Sequence, residues 1–358
     1  MITSETLPPK AIRLVFTTDT MPGYKRVRRG KGFSFVLPDG LKLTDIAERK
    51  RILSLAIPPA YKNVWICTRE NGHLQATGID ARGRKQYRYH PHWHLRAADR
   101  KFGELTGFAA ALPRIRARLR RELAGEDLTR DRTIAGIVAL LDITGYRIGN
   151  SRYERENKSF GLSSLLNRHL KEKGGHLELN FRGKSGQQHK AEIVSPRLIR
   201  LVRDLHELPG QHLFRYEDAK GEWHDIGTTD VNDWLKETGG GENTAKQFRT
   251  WKASVLCARE LAVAPPPEPV PAQERIIRQA IIATAPKLHH TPATCRKYYI
   301  HPSLLDGFRS GALFRIMNSA PPRLIKLDGT AALGVDERRV YRLLTPKKTR
   351  LPAKGVAL

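Results

Sequence analysis

The chain has 358 residues, room for two domains, and 40% of them are hydrophobic, enough for packed cores. Lysine and arginine number 63 against 36 aspartates and glutamates, a net charge of +27. That excess points to a polyanion, most simply nucleic acid, although ribosome-associated and membrane-surface proteins share it. No apolar run reaches transmembrane length, and the start, MITSETLPPKAIRL, lacks the basic leader and apolar core of a signal peptide. Cys67, Cys257 and Cys295 are isolated, which predicts a reducing cytoplasm, no disulfide framework and no zinc site.

Residues 1 to about 103 mix short β-like runs, Gly30 to Leu37, Val64 to Thr68 and Gly72 to Thr77, with glycine and proline punctuation. A helix is expected around Thr44 to Ala56, capped by Thr44 and Asp45. Arg82, Arg84, Lys85, Gln86, Tyr87, Arg88 and Tyr89 interleave cations, an amide and aromatics. On a strand, Lys85, Tyr87 and Tyr89 share one face and Gln86 and Arg88 the other. Cations suit phosphates, while glutamine and tyrosine reach base edges or sugars; the plain alternative is a solvated basic strand with its tyrosines in the core. His90, His92 and His94 alternate as a metal site would, but Pro91 breaks the ladder and no carboxylate or cysteine completes the set, so no metal is expected.

Phe102 to Arg121 reads as a helix whose basic face, Arg114, Arg116, Arg118, Arg120 and Arg121, extends the positive surface. After Thr129, the spacing of Ile134, Ile137, Val138 and Leu141 predicts a core helix, with Arg147 just past its end. Leu162, Leu165, Leu166 and Leu170 mark a further helix. The period then changes: Leu177, Leu179 and Phe181 alternate with polar residues, and Gln188 to Val194 is the hairpin partner, which puts Lys184 at a glycine-flanked tip. Gly183-Lys184-Ser185 is not the end of a nucleotide-binding P-loop, because residue 178 is Glu where that motif needs glycine.

Ser195-Pro196 opens another helix, Thr229 caps a shorter one, and Thr244 caps the segment AKQFRTWKASVLCARELA, in which Arg249 lies beside a stripe of Phe248, Trp251, Val255 and Leu256. Pro265 to Pro271 is a proline-rich hinge, followed by a helix near Ala272 to Ala283. Thr291-Pro292 starts a short helix that ends before Pro302, with Tyr298 and Tyr299 in its last turn. Either phenol could serve as a covalent nucleophile, and a packed pair is the plain alternative. After about Gly311 come another small unit and the basic end PKKTRLPAKGVAL.

In chain order, IPPAY, LQATGIDARGRKQYRYHP, TGYRIGN, FRGKSG, FRTWKA and HTPATCRKYYIHP resemble the type IB DNA topoisomerases of the poxvirus and bacterial kind, over about Ile12 to Phe308. The resemblance implies an α+β protein: a small β-sheet-rich DNA-clamp domain (1–103), a mainly α-helical catalytic domain with a β-hairpin (104–312), similar to the tyrosine recombinase fold, and a C-terminal extension with a basic tail (313–358). It implies that Arg147, Lys184, Arg249, His290 and Tyr299 are catalytic. Tyr299 matches the nucleophile because it precedes Ile300-His301-Pro302. The arginines and the histidine would stabilise charge on the phosphate, and Lys184, held among other cations, would protonate the leaving 5′ hydroxyl. The implied enzyme relaxes duplex DNA through a 3′-phosphotyrosyl link, needs no cofactor, metal or ATP, and works in the cytoplasm on the nucleoid as a monomer clamped around double-stranded DNA, with no membrane partner. The rival readings are a tyrosine recombinase and a noncatalytic basic nucleic-acid-binding protein. Recombinases usually carry His-x-x-Arg where this chain has Lys246-Gln247-Phe248-Arg249, and a noncatalytic binder leaves the ordered Arg, Lys, Arg, His and Tyr set unexplained.

Overall fold

The computed structural model describes residues 13–30, 32–320 and 333–345, and only the backbone at 94–99 and 151–153. The expected basic tail, PKKTRLPAKGVAL, lies outside the described residues. Two compact units divide between Lys101 and Phe102.

The first unit is an antiparallel sheet with one helix. Strands β1 (Gly23–Arg29), β2 (Gly32–Val36), β3 (Lys62–Cys67), β4 (Leu74–Ile79) and β5 (Lys85–Tyr89) lie in the order β2-β1-β3-β4-β5, and α1 is Ile46–Ser54. Tyr24, Phe35, Leu43, Ile52, Val64, Ile66 and Ala76 form its core. Strand β1, GYKRVRR, is absent from the sequence reading because its cations hide the alternation. Arg26 nevertheless works as a connector, donating to the carbonyls of Ile57, Pro58 and Tyr61 at 3.1, 3.0 and 2.7 Å. Asp45 alone caps α1, accepting from Glu48 N at 3.1 Å.

Helix α2 (Pro91–Glu122) begins eleven residues before the expected Phe102. Pro91, read from the sequence as a break, occupies the first helical position, where a missing N–H costs nothing. His92 is therefore on a helix, edge-on to His90 at 5.3 Å, and the side chain of His94 lies outside the described residues.

In the second unit α2 is followed by α3 (Arg130–Thr144), α4 (Ser151–Asn157), strands β6 (Leu170–Lys173), β7 (His176–Arg182) and β8 (Gln188–Ile193) in one antiparallel sheet, and α5 (Pro196–His206). A small hairpin, β9 (Arg215–Glu217) and β10 (Trp223–Asp225), leads to α6 (Thr228–Gly239), α7 (Ala245–Leu261), α8 (Val270–Lys287), α9 (Pro292–Tyr298), α10 (Pro302–Arg309), α11 (Ala312–Met317) and α12 (Val335–Leu344). One apolar core runs through these helices and includes Phe108, Ile137, Leu201, Trp234, Trp251, Ile281, Phe308 and Val340. Helices α11 and α12 fall in the segment assigned to the C-terminal extension, and they pack against α7 and α10.

Three expectations need correction. The leucines at 162, 165, 166 and 170 are all buried, but their spacing imitates a helix that does not form: Leu162 opens a 3₁₀ turn (Leu162–Ser164), Leu165 and Leu166 are extended between it and a second (Asn167–His169), and Leu170 starts β6. Thr229 is inside α6, whose N-cap is Gly227; the Gly227 N–H donates to Asp230 Oδ2 at 2.8 Å. The arginine face of α2 is not simply a positive surface. Arg116 is paired with Asp142 and Glu337 at 2.8 and 2.7 Å, and Arg118 with Asp131 at 2.6 Å, so these charges bind α2 to α3 and α12. Burial of Arg116 opposes its charge, and the two carboxylates more than restore it.

Candidate active site

The site is built around α7. Thr244 begins the helix, its N–H bonded to Gln247 Oε1 at 2.7 Å, and buried Phe248, Trp251 and Val255 pin one side. One turn in, Arg249 is only 2% exposed. Its Nη1 donates to Gly145 O at 2.7 Å, its Nη2 to Leu288 O, and its Nε to His290 Nε2 at 2.8 Å. Gly145 is the left-handed C-cap of α3, φ 66°, so its carbonyl is turned off the helix end toward the arginine. Burial and the nearby Arg147 charge push Arg249 down to about 10, still charged at neutral pH, and the Tyr299 side chain counters this through a hydrogen bond.

His290 stacks on Tyr299, ring centroids 4.2 Å apart at 22°. Burial, with Arg249, Arg147, His289 and His189, drives His290 down to about 3, so the ring is neutral at pH 7. Both ring nitrogens face guanidinium donors, Nε2 at 2.8 Å from Arg249 Nε and Nδ1 at 3.4 Å from Arg249 Nη2.

Thr291 Oγ1 caps α9 by accepting from Thr294 N at 3.3 Å, with Pro292 in the first turn. Tyr298 ends the helix, 44% exposed, and Tyr299 is its C-cap, half-buried. The guanidinium of Arg249 lies 5.4 Å from the Tyr299 ring centroid. Ser254, five residues further along α7 than Arg249, donates from Oγ to Tyr299 O at 3.2 Å and accepts from His301 N at 3.1 Å. The structure thus distinguishes the two tyrosines: Tyr299 faces the arginine and histidine, whereas Tyr298 lies near the Lys297 ammonium.

Arg147 is half-buried in the loop after α3. That loop is fastened by Leu162 N to Arg147 O at 3.0 Å, Ser163 N to Ile148 O at 2.6 Å, and Thr228 Oγ1 to Gly149 O at 2.8 Å. Gly149 has φ 105°, and Gly161 passes so close that a Cβ on it would overlap the Gly149 backbone. Arg147 is near enough to depress Arg249, His290, His189 and His289. Lys184 is exposed on the β7–β8 tip, in the turn Lys184–Gly186.

The geometry therefore puts Arg249, His290 and Tyr299 in contact, brings the charge of Arg147 to them, and leaves Lys184 on an adjoining hairpin. Sequence reasoning missed Ser254, His189, His289 and Tyr146. His189 is buried between Phe181, Tyr146 and His289, with ring centroids at 4.8, 4.5 and 4.2 Å, and Tyr146 OH donates to Lys190 O at 3.0 Å. Apart from the cross-strand pair Phe181 and His189, these contacts join segments distant in sequence, so no spacing signal marks them.

In the first unit, the residues read as nucleic-acid-binding do lie on or beside a strand, β5. Tyr87 and Tyr89 stack at 6.1 Å, and Tyr89 stacks on Trp93 at 6.3 Å. Lys85 pairs with Asp19 at 2.5 Å; Arg84 Nε and Gln86 Nε2 both donate to Asp80 Oδ2 at 2.9 Å. The Arg82 N–H bonds Asp80 Oδ1 at 2.9 Å, and Arg88 donates to Ala56 O at 2.9 Å. Arg84 above all holds the Asp80 carboxyl down at about 2. Cations and stacked aromatics thus share an edge strand, an arrangement suited to phosphate and base contacts.

Among the described residues, ligand atoms with metal-like spacing occur at Asp218, Glu222 and His224, on the β9–β10 hairpin, and no helix is long and apolar enough to cross a membrane. The three cysteines are free and buried.

Both units of the chain are similar to known proteins. Residues 91–309 match the catalytic core of eukaryotic DNA topoisomerase I, and residues 32–80 match the N-terminal domain of bacterial DNA topoisomerase IB. The DNA topoisomerase 1B of Acanthamoeba polyphaga mimivirus is 32% identical over 305 residues, covering 83% of this chain and 90% of the viral protein. DNA topoisomerase I of monkeypox virus is 24% identical and DNA topoisomerase 1B of vaccinia virus (strain Copenhagen) 23%, each over 64% of this chain and 70% of the relative. With more than half its length matched to the catalytic core and both units recognised, the chain belongs to the type IB DNA topoisomerase family.

Proposed function

We propose that this chain relaxes supercoiled duplex DNA by nicking one strand, letting it rotate and rejoining it. The contact of Arg249 and His290 with Tyr299 carries this reading. Tyr299 Oη attacks the phosphorus in line and gives its proton to solvent. As the new O–P bond forms, the bond to the 5′ oxygen breaks, and Lys184 Nζ delivers a proton to that oxygen. Arg147, Arg249 and His290 are suited to hold the nonbridging oxygens, where charge grows in the transition state. Fixed guanidinium charge fills the part a metal ion plays elsewhere. The 3′-phosphotyrosyl bond conserves the phosphodiester energy, so rejoining reverses the step without ATP.

In this reading Arg82, Arg84, Lys85, Gln86, Tyr87, Arg88 and Tyr89 contact the duplex, with the two units closing around it as a monomer in the cytoplasm, on the nucleoid. The helical unit then shares its fold with the tyrosine recombinases. The deciding experiment mixes the protein with supercoiled plasmid in EDTA without nucleotide, then traps protein on DNA with detergent. Relaxed topoisomers and protein joined to a 3′ end are expected. A band shift with unchanged linking number would leave a noncatalytic binder, and a need for paired special sites would leave a recombinase.

A further inference from the structure

Gly183 stands immediately before Lys184 with φ −98° and ψ −165°, an extended conformation open to any residue, so the backbone does not call for glycine there. The His189 ring does. A Cβ on Gly183 would lie 2.5 Å from both Cδ2 and Nε2 of His189. His189 pairs with Phe181 across β7 and β8 and is 2% exposed. Its ring lies flat on Phe181 (4.8 Å, 8°), edge-on to Tyr146, and 4.2 Å from His289. His289 adjoins His290, holds a left-handed φ of 52°, and reaches Tyr146 OH at 3.3 Å. A left-handed histidine is strained unless its surroundings hold it, and here the His189 and Tyr146 rings do so. One imidazole therefore touches both the base of the Lys184 tip and the loop bearing His290.

We propose that His189 is a positioning residue for Lys184: its ring is the floor on which the Gly183–Lys184 peptide rests, and it sets the tip at a fixed height against the His290 loop. This rests on the reading of Lys184 as the donor of the proton to the leaving 5′ oxygen. Loss of the floor falls on that proton transfer, whereas any loosening of the His290 loop slows both leaving groups alike, so the floor is read from the difference between them.

The test compares single-turnover cleavage of a duplex with an ordinary 5′ oxygen at the scissile bond and of the same duplex with sulfur there, since a thiolate leaves without a proton. His189→Ala removes the floor; Gly183→Ala, buried but next to the exposed Lys184 turn, adds a single methyl against it from above, a smaller change that remains informative if the histidine substitution fails to fold. Each is expected to slow the oxygen substrate by about thirtyfold or more, a part of the roughly 10²–10⁴-fold that general acid catalysis contributes, and to slow the sulfur substrate far less. Combining His189→Ala with Lys184→Ala should add little to Lys184→Ala alone. Equal slowing on both substrates, or no slowing of the oxygen substrate by a folded variant, overturns the proposal. If Lys184→Ala is itself slowed equally on both, the proton-donor reading falls and the proposal falls with it. If Lys184→Ala is rescued by sulfur but the two positioning variants are not, only the role of His189 is lost.

Discussion

Arg249 donates its Nε–H to Nε2 of His290 at 2.8 Å, and its Nη2 lies 3.4 Å from Nδ1 of the same ring. The imidazole must be neutral to accept it, and the guanidinium is anchored at its other end by two backbone carbonyls. Arg249 is thus a structural tie between α3, α7 and the loop before α9 as well as a cation facing Tyr299.

Arg249→Lys tests that double role. An ammonium cannot span Gly145 O, Leu288 O and His290 Nε2 together, and each buried acceptor left alone costs about 1–3 kcal/mol. Denaturant unfolding should show a loss of that order. Plasmid relaxation should fall by about a hundredfold or more, as expected when a donor to developing charge is removed.

Tyr299→Phe should abolish both relaxation and the detergent-trapped adduct while DNA binding persists in a mobility-shift assay. Tyr298→Phe should leave all three nearly intact, because its ring is exposed and turned to Lys297. The reverse pattern would move the nucleophile to Tyr298.

Gly161→Ala should act at a distance on Arg147. The new methyl would overlap Gly149 and force apart the two loop strands that carry the arginine, at about 1–3 kcal/mol for overpacking. Cleavage should fall well beyond what the stability change explains, while DNA affinity at low salt holds. An unchanged cleavage rate would show that the loop tolerates the spread.

Glu337→Gln should destabilise the second unit by about 3–5 kcal/mol, the cost of breaking a largely buried ion pair. Glu337 accepts from Arg116 Nη1 at 2.7 Å and Nη2 at 2.8 Å, from Trp251 Nε1 at 2.9 Å and from Gly334 N at 2.7 Å. Because Trp251 is on α7, the change should also blunt activity; urea titration together with a relaxation time course reads both.

Stability should decline as pH falls below about 6.5. Burial, then His289, Arg249 and Arg147, pushes His189 down to about 3; burial and the same arginines push His290 to about 3; burial pushes His169 to about 4. In the unfolded chain these rings titrate near 6.5. Between the two values the unfolded state holds more protons, so the slope of unfolding free energy against pH is positive: stability is fully present above 6.5 and lost on acidification. Unfolding midpoints at pH 7.5, 6.0 and 5.0 should fall in that order, with carboxylates such as Asp80 adding to the loss only at lower pH. His189→Phe should flatten the slope.

Much of this was legible in the sequence where a short-range rule governs. Thr129, Ser195, Thr244 and Thr291 each begin the helix expected of them, and the alternation of Leu177, Leu179 and Phe181 marks the hairpin. The motif segments also placed Arg249, His290 and Tyr299, which the fold brings into contact. What escaped was set by tertiary partners. The leucines after Gly161 have helical spacing, yet the close passage at Gly149 and the His169 ring, which accepts from Leu166 N at 3.1 Å, hold that chain in 3₁₀ turns. The arginines of α2 look like a solvated face until α12 supplies Glu337 from 221 residues away. Strand β1 escaped because Arg26 is partly buried while Val27 is exposed, which breaks the alternation.

Ser254 binds the carbonyl of Tyr299 and the amide of His301 with one hydroxyl, from the same helix that carries Arg249. Under the proposed function, torque on a strand joined at Tyr299 would not end at a loose helix terminus. It would pass through that hydroxyl into α7, the helix that also holds Arg249, so the pivot and its cationic neighbour would turn together. A Ser254→Ala protein would keep its chemistry's ingredients yet grip a spinning substrate less firmly.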